Sequence, residues 1–326
     1  MSAVYGKRHY YRCRDIHDLF EKEVSFSFES AGFDTHKVVF PPGEKTKSMI
    51  SLEKLLDYLA DSNFTRGDML VALGGGVIGD LTGFAASVYM RGIRFIQMPT
   101  TLLSAVDASI GGKTAINLAA GKNLAGSFHQ PSLVMFDPQT IFDLPNDNLL
   151  DGIAEVIKTG VIGDADLFGY LLNVNNPPLD DFVGNIVERS LMVKRSFVEN
   201  DERDTGQRQI LNLGHTMGHA IEKLSNYEIP HGHAVAIGMH AIAKASDEYK
   251  WSQHECFPPI DKILKKYGFP LKCSFSPEEL AQAALSDKKR KGDKITIVIP
   301  LKIGECALMD VPVKILVELF QQGLNY

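Results

Sequence analysis

MLVALGGGVIGD, residues Met69 to Asp80, reads as a buried strand, three glycines and the opening of a helix. Met69–Leu73 is apolar throughout, which suits a strand covered on both faces. Gly74, Gly75 and Gly76 let backbone approach a ligand closely. The helix start that follows presents free N–H groups and a partial positive charge. Strand, glycines, helix is a layout that holds a phosphate, and it favours that use over a plain tight turn. The spacing is neither the GxGxxG fingerprint nor a P-loop ending in GK[ST].

Outward from this stretch, short apolar runs alternate with helical patterns up to about residue 145. Candidate strands are His9–Arg12, Lys37–Phe40, Met69–Leu73, Ile93–Met98 and Leu133–Phe136. Helical patterns lie at Ser48–Ser62 and Asp80–Met90. That alternation predicts a parallel sheet covered by helices. Pro99-Thr100-Thr101, Gly111-Gly112-Lys113 and Gly121-Lys122-Asn123 are further anion-friendly segments, expected at the carboxyl ends of strands where ligands of open α/β sheets sit.

After Pro145 helical stretches dominate: Asn148–Ile162, Leu179–Phe197, Gln207–Leu224, His233–Tyr249, Pro259–Tyr267 and Pro277–Ala284. Lys294–Pro300 and Glu305–Met309 form a candidate hairpin. The boundary falls near Leu144–Asn148, giving domains 1–145 and 146–326.

The 326 residues, 44% hydrophobic and 23% charged, fit a soluble protein of two domains. A net charge of −6 leaves no basic footprint for nucleic acid. No run is long enough to span a bilayer, and the N-terminus lacks a signal-peptide core. Cys13, Cys256, Cys273 and Cys306 form no CxxC pair, which fits a reducing cytoplasm.

Gln207–Leu224 carries an apolar face of Ile210, Leu213, Met217, Ile221 and Leu224. A second stripe holds Arg208, Asn212, His215 and His219, spaced by four, three and four. Gly214 and Gly218 flank it and suggest close packing against the backbone. His231-Gly232-His233 follows a proline-containing loop. Imidazoles at this density favour metal or catalytic use over a solvated stripe, though no HExxH pattern is present. Glu155 and Lys158, one turn apart on a helix, are a pairing usually found at surfaces.

Taken in order, PxGExxK, GGGVIGD, YxRG, PTTLL, DxSIGGKT, GKN, AEVIK, GxRxxLNLGHTxGHAIE and HGxAVAIGM resemble 3-dehydroquinate synthase, from about Asp15 to Gly304. The resemblance implies a dehydroquinate synthase-like fold: an α/β N-terminal Rossmann-like NAD-binding domain plus an all-α C-terminal metal-binding domain. It implies a cytoplasmic homodimer acting in the shikimate route to chorismate and aromatic amino acids. Zinc or cobalt would be held by Glu155, His215 and His231. NAD contacts would be Asp15, Glu44, Lys47, Gly75, Gly76, Val77, Ile78, Gly79, Asp80, Thr100, Thr101, Lys113, Lys122, Thr140, Ile141, Phe142, Asp143 and Leu144. Substrate contacts would be Asp107, Lys113, Asn123, Lys158, Lys194, Arg208, Asn212 and His219, with Arg91 reaching the neighbouring subunit's substrate.

The implied reaction starts from 3-deoxy-D-arabino-heptulosonate 7-phosphate. NAD oxidises a ring alcohol, phosphate is eliminated, the ketone is reduced again, and an aldol step closes 3-dehydroquinate. His219 is the candidate for moving protons. Alternatives are a related cyclase using another heptulose phosphate, a metal-dependent polyol dehydrogenase, and a binding protein without turnover. The chain departs from the family pattern in three places. Most of a first strand and helix is expected to be missing, Cys13-Arg14-Asp15 stands for Asp-x-Asn, and His231-Gly232-His233 stands for HGE. His233 is expected to be a surface imidazole at a helix start, with competition for the metal as its alternative.

Overall fold

The computed structural model describes residues 16–142, 144–175, 177–285, 290–291 and 293–324. The candidate strand His9–Arg12, the segment Cys13-Arg14-Asp15 and Asp143 lie outside them. The chain divides into two compact units, Met1–Pro145 and Asn146–Tyr326.

The first unit contains α1 (Ile16–Ser30), α2 (Met49–Asp61), β1 (Met69–Gly74), α3 (Gly76–Val88), β2 (Arg94–Pro99), β3 (Lys113–Leu118), β4 (Gly121–Phe128), β5 (Leu133–Val134) and α4 (Gln139–Phe142). β1, β2 and β5 form a parallel sheet in that order. Met69 to Gly74 pair in register with Arg94 to Pro99. Leu70 and Ala72 face a core built from Leu55 and Leu59 of α2, Leu81 and Ala85 of α3, and Phe95. Val71 and Leu73 face the other way, toward Val24 and Phe28 of α1. Period-two alternation on a strand covered on both sides explains the unbroken apolar run.

Several sequence expectations shift here. The helix expected from Asp80 starts at Gly76, with Gly75 as its N-cap and Gly74 still in β1. It ends at Val88, and Met90 and Arg91 then take positive φ of 47° and 69°. Lys37–Phe40 carries no ladder among the described residues, yet its alternation still buries Val38 and Phe40. The last strand shortens to Leu133–Val134. The antiparallel β3–β4 hairpin was not foreseen, because its glycines and lysines read as anion loops.

The second unit contains α5 (Asn146–Gly163), α6 (Ala165–Asn173), α7 (Leu179–Asn200), α8 (His215–Leu224), α9 (His231–Glu248), α10 (Phe257–Lys266), α11 (Pro277–Leu285), β6 (Arg290–Lys291), β7 (Lys294–Lys302), β8 (Glu305–Pro312) and α12 (Ile315–Leu324). It is largely helical, not helical throughout: β6, β7 and β8 form an antiparallel sheet around the expected hairpin. α9 is apolar on nearly every side and packs against α5, α8, α10 and α12, as a central helix must.

The single helix expected over Gln207–Leu224 is broken. Gln207–Asn212 is a 3-10 turn, and α8 begins after Gly214, which sits at φ 78°. A Cβ on Gly214 would lie 2.7 Å from the Val235 carbonyl oxygen, and one on Gly238 would lie 2.1 Å from the Gly214 oxygen. α8 and α9 therefore cross with backbones in contact. That is the close packing the glycines suggested.

Gly238→Ala should lower stability by about 1–3 kcal/mol, the usual cost of overpacking. Gly169→Ala, in the interior of α6 with nothing within 4 Å of the added Cβ, should raise it by about 0.5–1 kcal/mol. Thermal denaturation of both variants checks this. Asp164 provides a pH test. Its carboxylate accepts from Leu167 N at 2.9 Å and from Arg189 Nε at 2.8 Å. Burial pushes the carboxyl up, but the Arg189 and Leu167 hydrogen bonds outweigh it, so the group lies below the ordinary carboxylate range. A depressed folded pKa stabilises above the unfolded value and loses that contribution as pH falls through the folded one. Asp164→Asn should therefore flatten the acid limb of a stability-against-pH curve below about pH 4.

Candidate active site

α5 is buried at every residue from Gly152 to Ile162, and two of these residues are Glu155 and Lys158. Their side chains are 1% and 3% exposed and pair directly. This is not the surface pair the spacing suggested. Buried charges cost several kcal/mol apiece unless paired, so the carboxylate demands positive partners.

Two imidazoles also face the carboxylate. His215 opens α8 and His231 opens α9. His215 Nε2 lies 3.7 Å, and His231 Nε2 3.4 Å, from Glu155 Oε1. Each Nδ1 faces an outer acceptor. That of His215 lies 3.1 Å from the Leu213 carbonyl, and that of His231 lies 3.1 Å from Glu222 Oε2. With Nδ1–H donating outward, both Nε2 lone pairs turn toward the carboxylate.

Ligand atoms of Glu155, His215 and His231 all lie within 4.8 Å of one another. Donors around a tetrahedral ion, with bonds of about 2.0–2.1 Å, stand about 3.3 Å apart. One carboxylate and two imidazoles so placed fit a divalent transition ion with a coordination position left open. Burial pushes His215 well below the ordinary histidine range, helped by the charge on Lys158 and by His231 and His219. A neutral imidazole is the ligating form. Burial also depresses His231, but hydrogen bonds to Glu155 and Glu222 win and hold it well above that range. A cation there would take the place of that proton.

The backbone around the site is fixed by Asp151, one turn before Glu155 on α5. Asp151 Oδ1 accepts from the Gly232 N–H in the first turn of α9. A Cβ on Gly232 would lie 2.2 Å from the Asp151 carbonyl oxygen. His233 Nδ1 lies 3.9 Å from Asp151 Oδ1, with a side chain only 12% exposed, and its ring meets Phe269 edge-on at 5.6 Å. It is therefore an enclosed imidazole, not a surface one, and it stands outside the ligand group.

Other expected residues of this unit lie at stated places. The His219 ring is 5.2 Å from that of His215 and 6.2 Å from that of His231. Lys194 on α7 is buried. Arg208 is among the largest fully buried side chains, with Nη1 donating to the Glu202 carbonyl. The turn before it is shaped by Asp201, whose carboxylate accepts from Thr205, Gly206 and Arg208 N–H groups. Asn212 Nδ2 donates to the Gln209 carbonyl.

In the first unit, Gly75 caps α3 without any side-chain cap. Ile78 N and Gly79 N donate to the Gly75 carbonyl, and the N–H groups of Gly76 and Val77 at the helix start are those that suit an anion. Gly74 lies beside Pro99 in register, and Thr100 N donates to the Gly74 carbonyl. The glycine loop and Pro99-Thr100-Thr101 thus share one sheet end. Lys47, nearly buried, pairs with Asp80 of α3. Glu44 Oε1 accepts from Asn117 Nδ2 at 2.8 Å and lies 4.0 Å from Lys122 Nζ. Asn117 Oδ1 accepts from the Asn123 N–H. Asp107 lies on a π-type turn, Ser104–Ala108, and Lys113 begins β3, exposed. Thr140, Ile141 and Phe142 belong to α4, with Leu144 just after it. Arg91 is exposed.

Family models described as 3-dehydroquinate synthase N-terminal and C-terminal match residues 37–151 and 152–290. The chain belongs to the 3-dehydroquinate synthase family. The 3-dehydroquinate synthase of Clostridium perfringens (strain 13 / Type A) is 44% identical over 282 residues, 86% of this chain and 81% of its own length. That of Picosynechococcus sp. is 44% identical over 305 residues, 91% and 83% of the two chains. A solved 2-deoxy-scyllo-inosose synthase, complexed with carbaglucose-6-phosphate, NAD+ and Co2+, superposes with TM-score 0.85 at 25% identity. It covers 99% of this chain and 91% of its own. The 2-epi-5-epi-valiolone synthase ValA from Streptomyces hygroscopicus subsp. jinggangensis 5008, with NAD+ and Zn2+ bound, shares the fold at TM-score 0.87 and 22% identity, covering 99% and 90%.

For this 3-dehydroquinate synthase family member, sequence reasoning missed three residues. Glu222 extends the His215–His219 stripe by three positions, and following the stripe further finds it. Asp151 sits four before Glu155 on the same helix face, but its grip on Gly232 spans 81 residues and has no local signal. Asn117 lies in a hairpin that was itself unforeseen. Gly232→Ala should push the first turn of α9 off α5 and carry His231 with it. Zinc titration should then show at least about a tenfold loss of affinity, with a lower melting temperature.

Proposed function

We propose that this chain converts 3-deoxy-D-arabino-heptulosonate 7-phosphate into 3-dehydroquinate and phosphate, with residues 1–145 binding NAD and residues 146–326 binding metal and substrate. The observation that carries the reading is the buried Glu155 carboxylate with two imidazole Nε2 atoms at 3.4 and 3.7 Å. Identity of 44% to 3-dehydroquinate synthases over most of the chain supports the reaction. The NAD+ and Co2+ of the similar inosose synthase support the cofactors.

Glu155, His215 and His231 would hold zinc or cobalt. The segment Gly75 to Gly79, through the N–H groups at the start of α3, with Thr100, Thr101 and the Lys47–Asp80 pair, would hold the dinucleotide. When bound, the nicotinamide would take a hydride from the carbinol carbon and later return it, while the divalent ion would acidify the hydroxyl on that carbon, which gives up a proton. Lys158, buried against Glu155, gives that carboxylate a positive partner. Lys113, Lys194 and Arg208 match a substrate carrying both phosphate and carboxylate. His219, next to both ligand rings, moves the proton. Asp107, Asn123 and Asn212 orient hydroxyls. The reading includes a cytoplasmic homodimer in which Arg91 serves the neighbouring subunit, on the strength of the family resemblance. No helix among the described residues is long and apolar enough to cross a membrane.

Chelator-treated protein should stop releasing phosphate from the heptulosonate phosphate, and added zinc or cobalt should restore release without net NADH. Glu155→Ala should lose at least about a hundredfold in metal affinity and in turnover. Failure of either metal to restore phosphate release sinks the reading. Likeness to 2-deoxy-scyllo-inosose synthase motivates a second reading, a cyclase for another sugar phosphate. NMR identification of the product separates the two.

A further inference from the structure

Glu222 closes the His219-Ala-Ile-Glu stretch and has no part in the reaction as set out above. It lies on α8, seven residues after His215 and three after His219, which puts it on their face of the helix. The residue is 6% exposed. Its backbone is held as well, because its carbonyl accepts from Tyr227 N at 2.7 Å and from Ser225 Oγ at 3.1 Å. The buried carboxylate is thus a fixed feature of the helix end.

Its Oε2 stands 3.1 Å from His231 Nδ1. On the other side of the ring, His231 Nε2 stands 3.4 Å from Glu155 Oε1. One imidazole is therefore gripped at both nitrogens by carboxylates from two different helices, α8 and α5, while its own backbone begins a third, α9. His215 is held differently, through the carbonyl of Leu213 two residues earlier. The His215 side chain is 9% exposed and that of His231 is 26% exposed. His231 is enclosed less by packing, so its ring depends more on the Glu222 contact for its direction.

We propose that Glu222 is the positioning residue of the metal centre. Its carboxylate accepts the Nδ1–H of His231, fixes the tautomer whose Nε2 lone pair faces the ion, and adds negative charge next to the ligand. The inference rests on the reading of Glu155, His215 and His231 as ligands. His219, Glu222 and His231 also bring ligand atoms within 4.8 Å of one another, so a second ion bound by Glu222 itself is the competing arrangement.

The test is Co2+ titration of metal-free enzyme against a competing chelator, with the visible absorption of bound Co2+ recorded for wild type, Glu222→Ala, Glu222→Gln and His231→Ala. Melting of each metal-free protein is followed in parallel. Glu222→Ala should bind Co2+ about 10–100-fold more weakly, with shifted bands and one ion per chain. Glu222→Gln, which keeps an oxygen for Nδ1–H, should recover the wild-type band positions with a smaller loss of affinity, and it decides the matter if the alanine variant does not fold. A purely structural role would lower the melting temperature without moving the bands of the loaded protein. The proposal is overturned if both Glu222 variants bind within about twofold of wild type with unchanged bands while His231→Ala abolishes binding. It is also overturned if wild type binds two ions and Glu222→Ala removes only the second. An unaffected His231→Ala would bring down the ligand reading along with it.

Discussion

A carboxylate 1% exposed, inside a helix whose neighbouring residues are apolar, is the constraint on which the second unit depends. Glu155 cannot be solvated where it stands, and an unpaired buried charge costs about 3–5 kcal/mol or more. Lys158 along the same helix meets that demand in part, and His215 from the start of α8 and His231 from the start of α9 point ring nitrogens at the same carboxylate. None of these groups would be buried for stability alone, since apolar residues of similar volume serve a core equally well or better. Their burial together makes sense as a site that concentrates negative charge and lone pairs on one point.

The approach of three helices to that point is made possible by missing side chains. Gly214 and Gly238 let α8 and α9 touch backbone to backbone, and Gly232 lets α9 begin against the Asp151 carbonyl. Asp151 and Glu155 share a face of α5, so one turn of helix both anchors the N-terminus of α9 and presents the carboxylate. The outer acceptors Leu213 and Glu222 then turn the two rings. In the first unit a parallel sheet performs the matching task, bringing the uncapped start of α3 next to Thr100 and Thr101 at one end of β1 and β2.

Much of this was legible because it is written locally. An apolar run ending in three glycines specifies strand, turn and helix within twelve residues, and the imidazole stripe shows at a spacing of four. The unforeseen parts depend on long-range or left-handed geometry. Arg208, Asn212, His215 and His219 keep helical spacing across a real break at Gly214, so periodicity alone does not reveal it. Glu155 and Lys158 look the same in sequence whether exposed or buried, and only the packing of α5 tells which. The β3–β4 hairpin hid behind glycine-lysine pairs that serve equally as turns or as anion loops. Lys37–Phe40 alternates like a strand and buries Val38 and Phe40 accordingly, without ladder pairing among the described residues.

The central claim is that Glu155, His215 and His231 share one cation. Anomalous diffraction at the zinc edge, from crystals grown with zinc, tests it most directly. The account predicts a peak about 2.0–2.2 Å from a Glu155 carboxylate oxygen and from Nε2 of both histidines. Zinc bound elsewhere, with these three side chains paired only to protein groups, would contradict it.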